Sequence, residues 1–507
     1  MLTVIIFLPL LGAFLLLLFD ARATRTLGLV ALTVSGVELL LSLALASGFD
    51  AGQTGMQFTD MAPWVPPLGA SYHLGVDGLS VFLVVLTTFI TLLCTVSAVD
   101  GIQHNLKSFL FFLLMLETSV IGVFVSLDLL LFYVFWEFTL IPMYFIIGGW
   151  GGTRRIYAAV KFFVYTIAGS LLMLVAIIGV RFAHGGPGTF DIVTIMQSGV
   201  QPADQGWLFL AFALAFAVKA PLFPLHTWLP DAYMEAPTAG TVMLAAVLSK
   251  LGAYGFLRFC LGLFPDAARD YAGLIGALAV FSILYGAYLA ITRPDMKGLV
   301  AYSSLGHLGF IVLGVFALNG DGIAGSVIQM VNHGISTALL FFLIGMVYSR
   351  WGSRLIGEYS GLHRLAPVMS FMLLIAGLSS ISLPGLNGFV GEFLILVGAY
   401  RGYPLAIYSV FAAVGVIFAA FYVIWWYRRV FHGELRVPAT SNSRASMDLT
   451  RRELSIVIPC IVLILWLGVA PGTLLSKVDA TAQNWAAPHG RQAVSAQDTS
   501  VAVVKSR

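Results

Sequence analysis

Long apolar runs separated by short polar loops fill most of the chain. A helix crossing a bilayer takes about 20 apolar residues. About fourteen runs read as such helices: 2–19, 27–46, 78–99, 109–127, 129–148, 157–182, 206–223, 238–261, 271–292, 298–318, 322–348, 367–400, 405–430 and 453–475. The first has no basic residue before it, so it reads as a retained helix and not as a cleaved signal. The twelfth is too long for one straight crossing and contains SLPGLNG (382–388), where an interruption is expected. The predicted class is all-α, a polytopic membrane protein. Helices 4–8 and 9–13 form two blocks of five, and the fourth helix of each carries a proline break, at KAPLFP and at SLPGLNG. A tandem repeat of an odd number of helices is inverted in the membrane, and matching broken helices in two halves point to a transport site. The expected organisation is 1–108 for helices 1–3, 109–261 for a first inverted repeat and 262–430 for a second. Residues 431–507 then supply a cytoplasmic loop, helix 14 and a tail expected to be disordered from about residue 476 on composition.

Composition agrees. The 507 residues are 59% hydrophobic and 10% charged, against about 25% charged in a soluble domain. The distribution of charge says more than its net value. Arg154, Arg155, Arg428, Arg429, Arg436, Arg451 and Arg452 fall in the loops after odd-numbered helices, whereas the even loops and their helix ends hold Arg181, Arg258, Arg269 and Arg401. Basic loops face the cytoplasm, which places both termini on the opposite, periplasmic side of a bacterial inner membrane. Cys94, Cys260 and Cys460 are scattered through apolar runs without metal or redox spacing. No phosphate loop or dinucleotide fingerprint occurs, so nucleotide, flavin and iron–sulfur sites are not expected on this chain, and neither is nucleic-acid binding.

Against this background, ionisable residues deep in apolar runs carry the functional signal, because each is costly in a membrane and marks an ion or proton path by default. Six stand out: Glu137, Lys219, Lys250, His307, His333 and Glu392. Lys219 meets Pro221 and Pro224, and broken helices at membrane depth occur where they are buried in protein or line a wet cavity. Acid, lysine and histidine together suit a relay in which each group takes and releases a proton. The bland alternatives are specific. His307 and His333 read equally as buried hydrogen-bonding residues, Glu137 and Lys219 as one structural ion pair, and Lys161 as a residue that snorkels to the surface. Glu117, like Lys161, lies nearer a helix end. His226, Asp231 and Glu235 read as loop or capping residues.

The segments FYVFWEFTLIPMYFIIGGWGG (132–152), KAPLFPLHTWLPDAYMEAPTAGTVMLAAVLSKLGAYG (219–255), RPDMKGLVAYSSLGHLGF (293–310), VNHGISTALLFF (331–342) and LPGLNGFVGEFLIL (383–396) resemble the antiporter-like membrane subunits of respiratory complex I. The resemblance spans roughly residues 70–430. Glutamate at 392 is similar to the M (chain 4) type, whereas the L and N types and Mrp-type sodium/proton antiporters usually carry lysine there. Tyr233 departs from the histidine common in the family's DAHxEAP segment. The resemblance implies fourteen helices with two inverted five-helix repeats, and proton translocation driven by NADH oxidation and quinone reduction on other subunits. It implies a charge-coupled pair Glu137–Lys219, a central axis through Lys250, His307 and His333, and Glu392 at the exit side. NADH, FMN, iron–sulfur clusters and quinone are expected on partner subunits, with the L and N types and membrane lipid as neighbours. The alternatives are an Mrp-type antiporter subunit, a mitochondrial inner-membrane location, and a b-type haem protein with His307 and His333 as axial ligands.

Overall fold

The computed structural model describes residues 1–184, 188–402, 404–438 and 447–487. Helices account for most of it. In chain order they are α1 Leu2–Leu17, α2 Thr24–Ser47, α3 Val81–Gly101, α4 Leu106–Val125, α5 Leu129–Trp150 and α6 Arg155–Ala183. There follow α7 Ile192–Ser198, α8 Pro202–Lys219, α9 Trp228–Glu235, α10 Thr238–Leu263, α11 Pro265–Thr292 and α12 Met296–Val315. The last are α13 Gly320–Trp351, α14 Pro367–Ser380, α15 Asn387–Arg401, α16 Ala406–Phe431, α17 Arg451–Val469 and α18 Gly472–Ala486. Among the described residues, eleven helices are long and apolar enough to cross a membrane, and α1 and α14 are shorter apolar helices.

Two expectations need correction. The class is mostly α rather than all-α, because Gln57–Val65 (β1) and Ala70–Val76 (β2) pair as an antiparallel hairpin between α2 and α3. The stretch after 476 is also not wholly disordered, since α18 runs to Ala486. Leu474, Val478, Ala482 and Trp485 of α18 are buried, and their helical spacing gives one apolar stripe that docks on the bundle. The rest of the expected tail, from 488, lies outside the described residues.

Burial sorts the helices. The windows of α10, α12 and α13 are 94–100% buried, whereas those of α2, α16 and α17 are about one-third buried. The apolar outer faces of α2, α16 and α17 therefore meet lipid or other chains, and the candidate polar residues sit on the enclosed helices. Close helix approach depends on glycine at Gly252. A Cβ there would lie 2.4 Å from the Ala220 backbone nitrogen and 2.6 Å from the Phe216 carbonyl, so α10 rests directly against the end of α8.

Candidate functional site

Glu137, Lys219 and Lys250 sit beside interruptions of regular helix, whereas His307 and His333 lie inside the regular helices α12 and α13. In α5 the helical run pauses between Phe138 and Leu140. Pro142 has no N–H to give to the Phe138 carbonyl, and the Thr139 hydroxyl donates to the Trp136 carbonyl at 2.7 Å. That leaves the oxygen lone pairs of Thr139 facing inward, where Lys219 Nζ donates to them at 3.1 Å. Lys219 is the last residue of α8; Pro221 disfavours helix at the residue before it. The chain then crosses to α9, with Leu222 N–H donating to the Ala217 carbonyl, Phe223 N–H to Ser282 Oγ and Trp228 Nε1 to the Val218 carbonyl. Buried backbone groups freed by such a break must find partners, and here they do. The Lys219 ammonium also lies 5.3 Å from the Trp136 ring and 5.6 Å from the Phe162 ring.

Glu137, half-buried in α5, is close enough to act on Lys219 electrostatically. No ion pair joins them. Lys219 spends its hydrogen bond on Thr139, and Glu137 Oε1 has no partner. The reading of a direct structural ion pair is therefore replaced by two charges facing each other without contact.

Lys250 is fully buried in α10 between two widened turns, Leu244–Leu248 and Phe256–Cys260. A widened turn releases carbonyls from the regular ladder. Lys250 Nζ donates to one of them, Ala245 O, at 2.5 Å. Tyr233 Oη donates at 3.3 Å to Leu244 O, which also accepts the Ser249 N–H, so the tyrosine that departs from the family pattern braces this turn. Lys250 Nζ also contacts His333 Nδ1 of α13 at 2.8 Å. The His333 ring lies 5.0 Å from the His307 ring of α12, centre to centre. His307 Nδ1 meets Glu392 Oε1 of α15 at 2.7 Å. Ser382 Oγ donates to Glu392 Oε2 at 2.5 Å, and Gln329 Nε2 donates to Oε1 at 3.1 Å. Ser382 stands in the six-residue gap between α14 and α15 at φ 58°.

Four of the six candidates, Lys250, His333, His307 and Glu392, thus form one continuous chain of contacts from α10 to α15. Glu137 and Lys219 form a separate unit across α5 and α8. The structure brings α8 and α10 together at Gly252, two residues from Lys250.

The residues set aside in the sequence also find places. Lys161 Nζ pairs with Asp231 at 2.7 Å, and Glu235 accepts the Arg154 N–H just before α6. Asp231 and Glu235 belong to helix α9 rather than to a loop. Arg258 is not at a loop end. It is buried in α10 and forks onto Asp77 at 2.6 and 2.8 Å, so it carries no weight in the loop-charge asymmetry. Outside the apolar helices, His73 Nδ1 pairs with Asp191 at 2.5 Å. Burial alone would raise the Asp191 carboxyl, but His73 and the Thr194 hydroxyl and N–H hold it below the ordinary carboxylate range.

Sequence reasoning missed the uncharged partners Thr139, Gln329 and Ser382, and Ser303 and Ser380, whose hydroxyls each lie 3.4 Å from His307 Nε2, because it searched for ionisable residues alone. It also missed Glu38. Glu38 of α2 and Glu117 of α4 are fully buried, and neither carboxylate has a hydrogen-bond partner. The signal was present: a lone acid in VSGVELLLSL, the same pattern that singled out Glu137.

A bundle of apolar helices enclosing a file of lysine, histidine and glutamate is the architecture of a membrane protein that handles protons or cations. The family described as NADH:quinone oxidoreductase/Mrp antiporter, TM, matches residues 126–419. NADH-quinone oxidoreductase subunit M of Rhodobacter capsulatus is 43% identical over 495 residues, covering 94% of each chain. NADH-ubiquinone oxidoreductase chain 4 of Chondrus crispus is 39% identical over 477 residues, covering 94% of this chain and 95% of that one. A chain of respiratory complex I from Thermus thermophilus with bound NADH superimposes with a TM-score of 0.86 at 34% identity, covering 96% of this chain and 99% of that one. A chain of the Mrp complex from Dietzia sp. shares the fold at TM-score 0.86 and 22% identity, covering 97% and 99%. The chain belongs to the NADH:quinone oxidoreductase/Mrp antiporter membrane family.

Proposed function

We propose that the chain is the M-type, proton-translocating membrane subunit of an NADH:quinone oxidoreductase. The carrying observation is the alignment of two hydrogen-bonded pairs, Lys250–His333 and His307–Glu392, whose imidazoles stand 5.0 Å apart, centre to centre. In this reading Lys219, tuned by the charge of Glu137, exchanges a proton with Lys250 across the α8–α10 contact. Lys250 passes its proton to His333 Nδ1. The ring releases one from Nε2 toward His307, and His307 gives its Nδ1 proton to Glu392. Each step breaks one N–H bond and forms one N–H or O–H bond, so charge moves along the file and no side chain is consumed. The energy comes from NADH oxidation and quinone reduction on partner subunits, which also hold the FMN and iron–sulfur clusters.

The finer architecture belongs to the same proposal. It comprises fourteen crossings in two inverted five-helix repeats, with the proline-bearing breaks at 220–227 and 381–386 at corresponding places. L- and N-type subunits flank the chain in a bacterial inner membrane, and both termini are periplasmic. The Glu392 carboxylate favours this reading over an Mrp-type subunit, because its three neighbours are all set to donate hydrogen bonds to an anion. The test is NADH-driven proton uptake into inverted membrane vesicles, normalised to assembled complex. Lys250→Ala should abolish most uptake, and normal uptake would overturn the proposal. Cysteine labelling of intact cells tests the sidedness. A Cys at Gly52 should react and one at Gly152 should not.

A further inference from the structure

The outer face of α16 carries a groove of about 790 Å³ that the proton path does not use. Ile417, Phe421 and Ile424 form its apolar wall, and Trp425, Arg428 and Arg429 close one end, where the helix stops at Phe431. Ile417, Phe421 and Ile424 are more than half exposed. Both arginines are exposed, and among the described residues neither guanidinium has a hydrogen bond or a carboxylate partner. Arg429 lies 5.7 Å over the Trp425 ring. The arrangement therefore has two parts along one helix: an uncharged slot and, at its mouth, a pair of unneutralised cations beside an indole.

From Ile417 to Arg428 the helix rises about 16 Å, close to half of a hydrocarbon core of about 30 Å. Tryptophan concentrates at the level of lipid headgroups, and clustered basic residues next to a membrane helix attract anionic lipid. A purely apolar protein helix would match the wall but would leave both guanidiniums unpaired. A diacyl lipid with a phosphate headgroup matches wall and mouth together. We propose that this groove is a binding site for an anionic phospholipid, its acyl chains along Ile417, Phe421 and Ile424 and its phosphate held by Arg428 and Arg429.

The experiment uses the assembled complex in its native membrane extract. Phosphatidylglycerol carrying a photoactivatable group in one acyl chain is added, irradiated, and the labelled peptides are mapped. Label is expected within 417–425. Excess unlabelled phosphatidylglycerol should remove it, whereas phosphatidylcholine or inorganic phosphate should not. Each arginine neutralised should lower occupancy about fivefold, so Arg428→Gln with Arg429→Gln should nearly abolish labelling. Arg428→Lys with Arg429→Lys should keep most of it, and this pair also keeps the test readable if the glutamine pair does not assemble. Equal labelling by photoactivatable phosphatidylcholine, or no effect of the lysine-to-glutamine difference, would overturn the proposal. So would a groove without label that instead crosslinks to a neighbouring subunit.

Discussion

Replacing Glu392 by glutamine removes one charge from the file and little else. Glutamine keeps the length of the side chain; with its amide oxygen in the place of Oε1 it still accepts from Gln329, while its NH2 meets Ser382 Oγ, which can accept through its lone pairs. What it loses is the carboxylate 2.7 Å from His307 Nδ1. At that separation and an effective dielectric near 20, a carboxylate stabilises an adjacent imidazolium by about 6 kcal/mol before desolvation is counted. Moving one charge through 100 mV takes about 2.3 kcal/mol, so the pair is large enough to draw a proton across and hold it against the field. If only a quarter of that interaction, about 1.5 kcal/mol, appears in the barrier to transfer, the rate falls roughly tenfold. NADH-driven proton uptake in inverted vesicles, normalised to assembled complex, should therefore drop at least tenfold in Glu392→Gln. His307→Gln should match it, and the double variant should be little worse, because the two act as one unit. Lysine at 392, although usual in the sister subunits, should do no better than glutamine here. Its ammonium would face Gln329 Nε2, which can only donate, and would need Ser382 Oγ and His307 Nδ1 to turn from donors into acceptors. Normal uptake in Glu392→Gln, or full rescue by lysine, would refute the reasoning.

Three other perturbations probe different links. Glu137→Gln should abolish most uptake. Glu137→Ala with Tyr133→Glu should recover part of it, because residues four apart share a helix face. Trp136→Glu in the same background should not, since Trp136 is buried between Phe132 and Phe216; equal rescue by both would remove the electrostatic role of Glu137. Gly252→Ala should cost about 1–3 kcal/mol of stability and reduce uptake, because the new methyl meets backbone at 2.4 Å; unchanged melting and pumping would show that the α8–α10 contact is slack. Asp191→Asn should lower thermal stability at neutral pH by about 1–3 kcal/mol. Since the folded carboxyl is held below its ordinary value, that contribution is complete above the unfolded pKa of about 3.9 and disappears as pH falls through the lower folded value. A difference between wild type and variant that persists below both values would contradict this assignment.

Much of the site was legible because a charge inside an apolar run is conspicuous at any spacing. Lys250, His307, His333 and Glu392 each stood out alone, yet no periodicity could show that α10, α12, α13 and α15 bring them into one file. That is a property of helix packing between residues 26 to 142 positions apart. The proline-rich stretches pointed to interruptions near 221 and 384, but nothing comparable marks the widened turns of α10, which arise within VMLAAVLSK and FLRFC without proline. The hairpin β1–β2 was hidden for the opposite reason. Its first strand, QFTDMAPWV, mixes polar, proline and aromatic residues and has little two-residue alternation. α18 was obscured by the polar composition around it, although its stripe of Leu474, Val478, Ala482 and Trp485 is a regular helical signal.

The location of the charges follows from a constraint on the backbone. In a low-dielectric interior a regular helix consumes its own N–H and C=O groups and has none to offer a lysine or a carboxylate. Lys219, Lys250 and Glu392 each take one hydrogen-bond partner at or beside a departure from regularity. Lys219 uses the Thr139 hydroxyl at the pause in α5, Lys250 uses the Ala245 carbonyl at a widened turn, and Glu392 takes the Ser382 proton from the gap before α15. Local main-chain irregularity thus supplies one polar partner to each, beside the side-chain partners that His333, His307 and Gln329 provide. A lysine shifted one turn along α10 would keep its charge and its depth but would lose both the Ala245 carbonyl and His333. The irregular turn and the charged residue therefore form a single functional element, and straightening either break should silence the path as completely as deleting the charge.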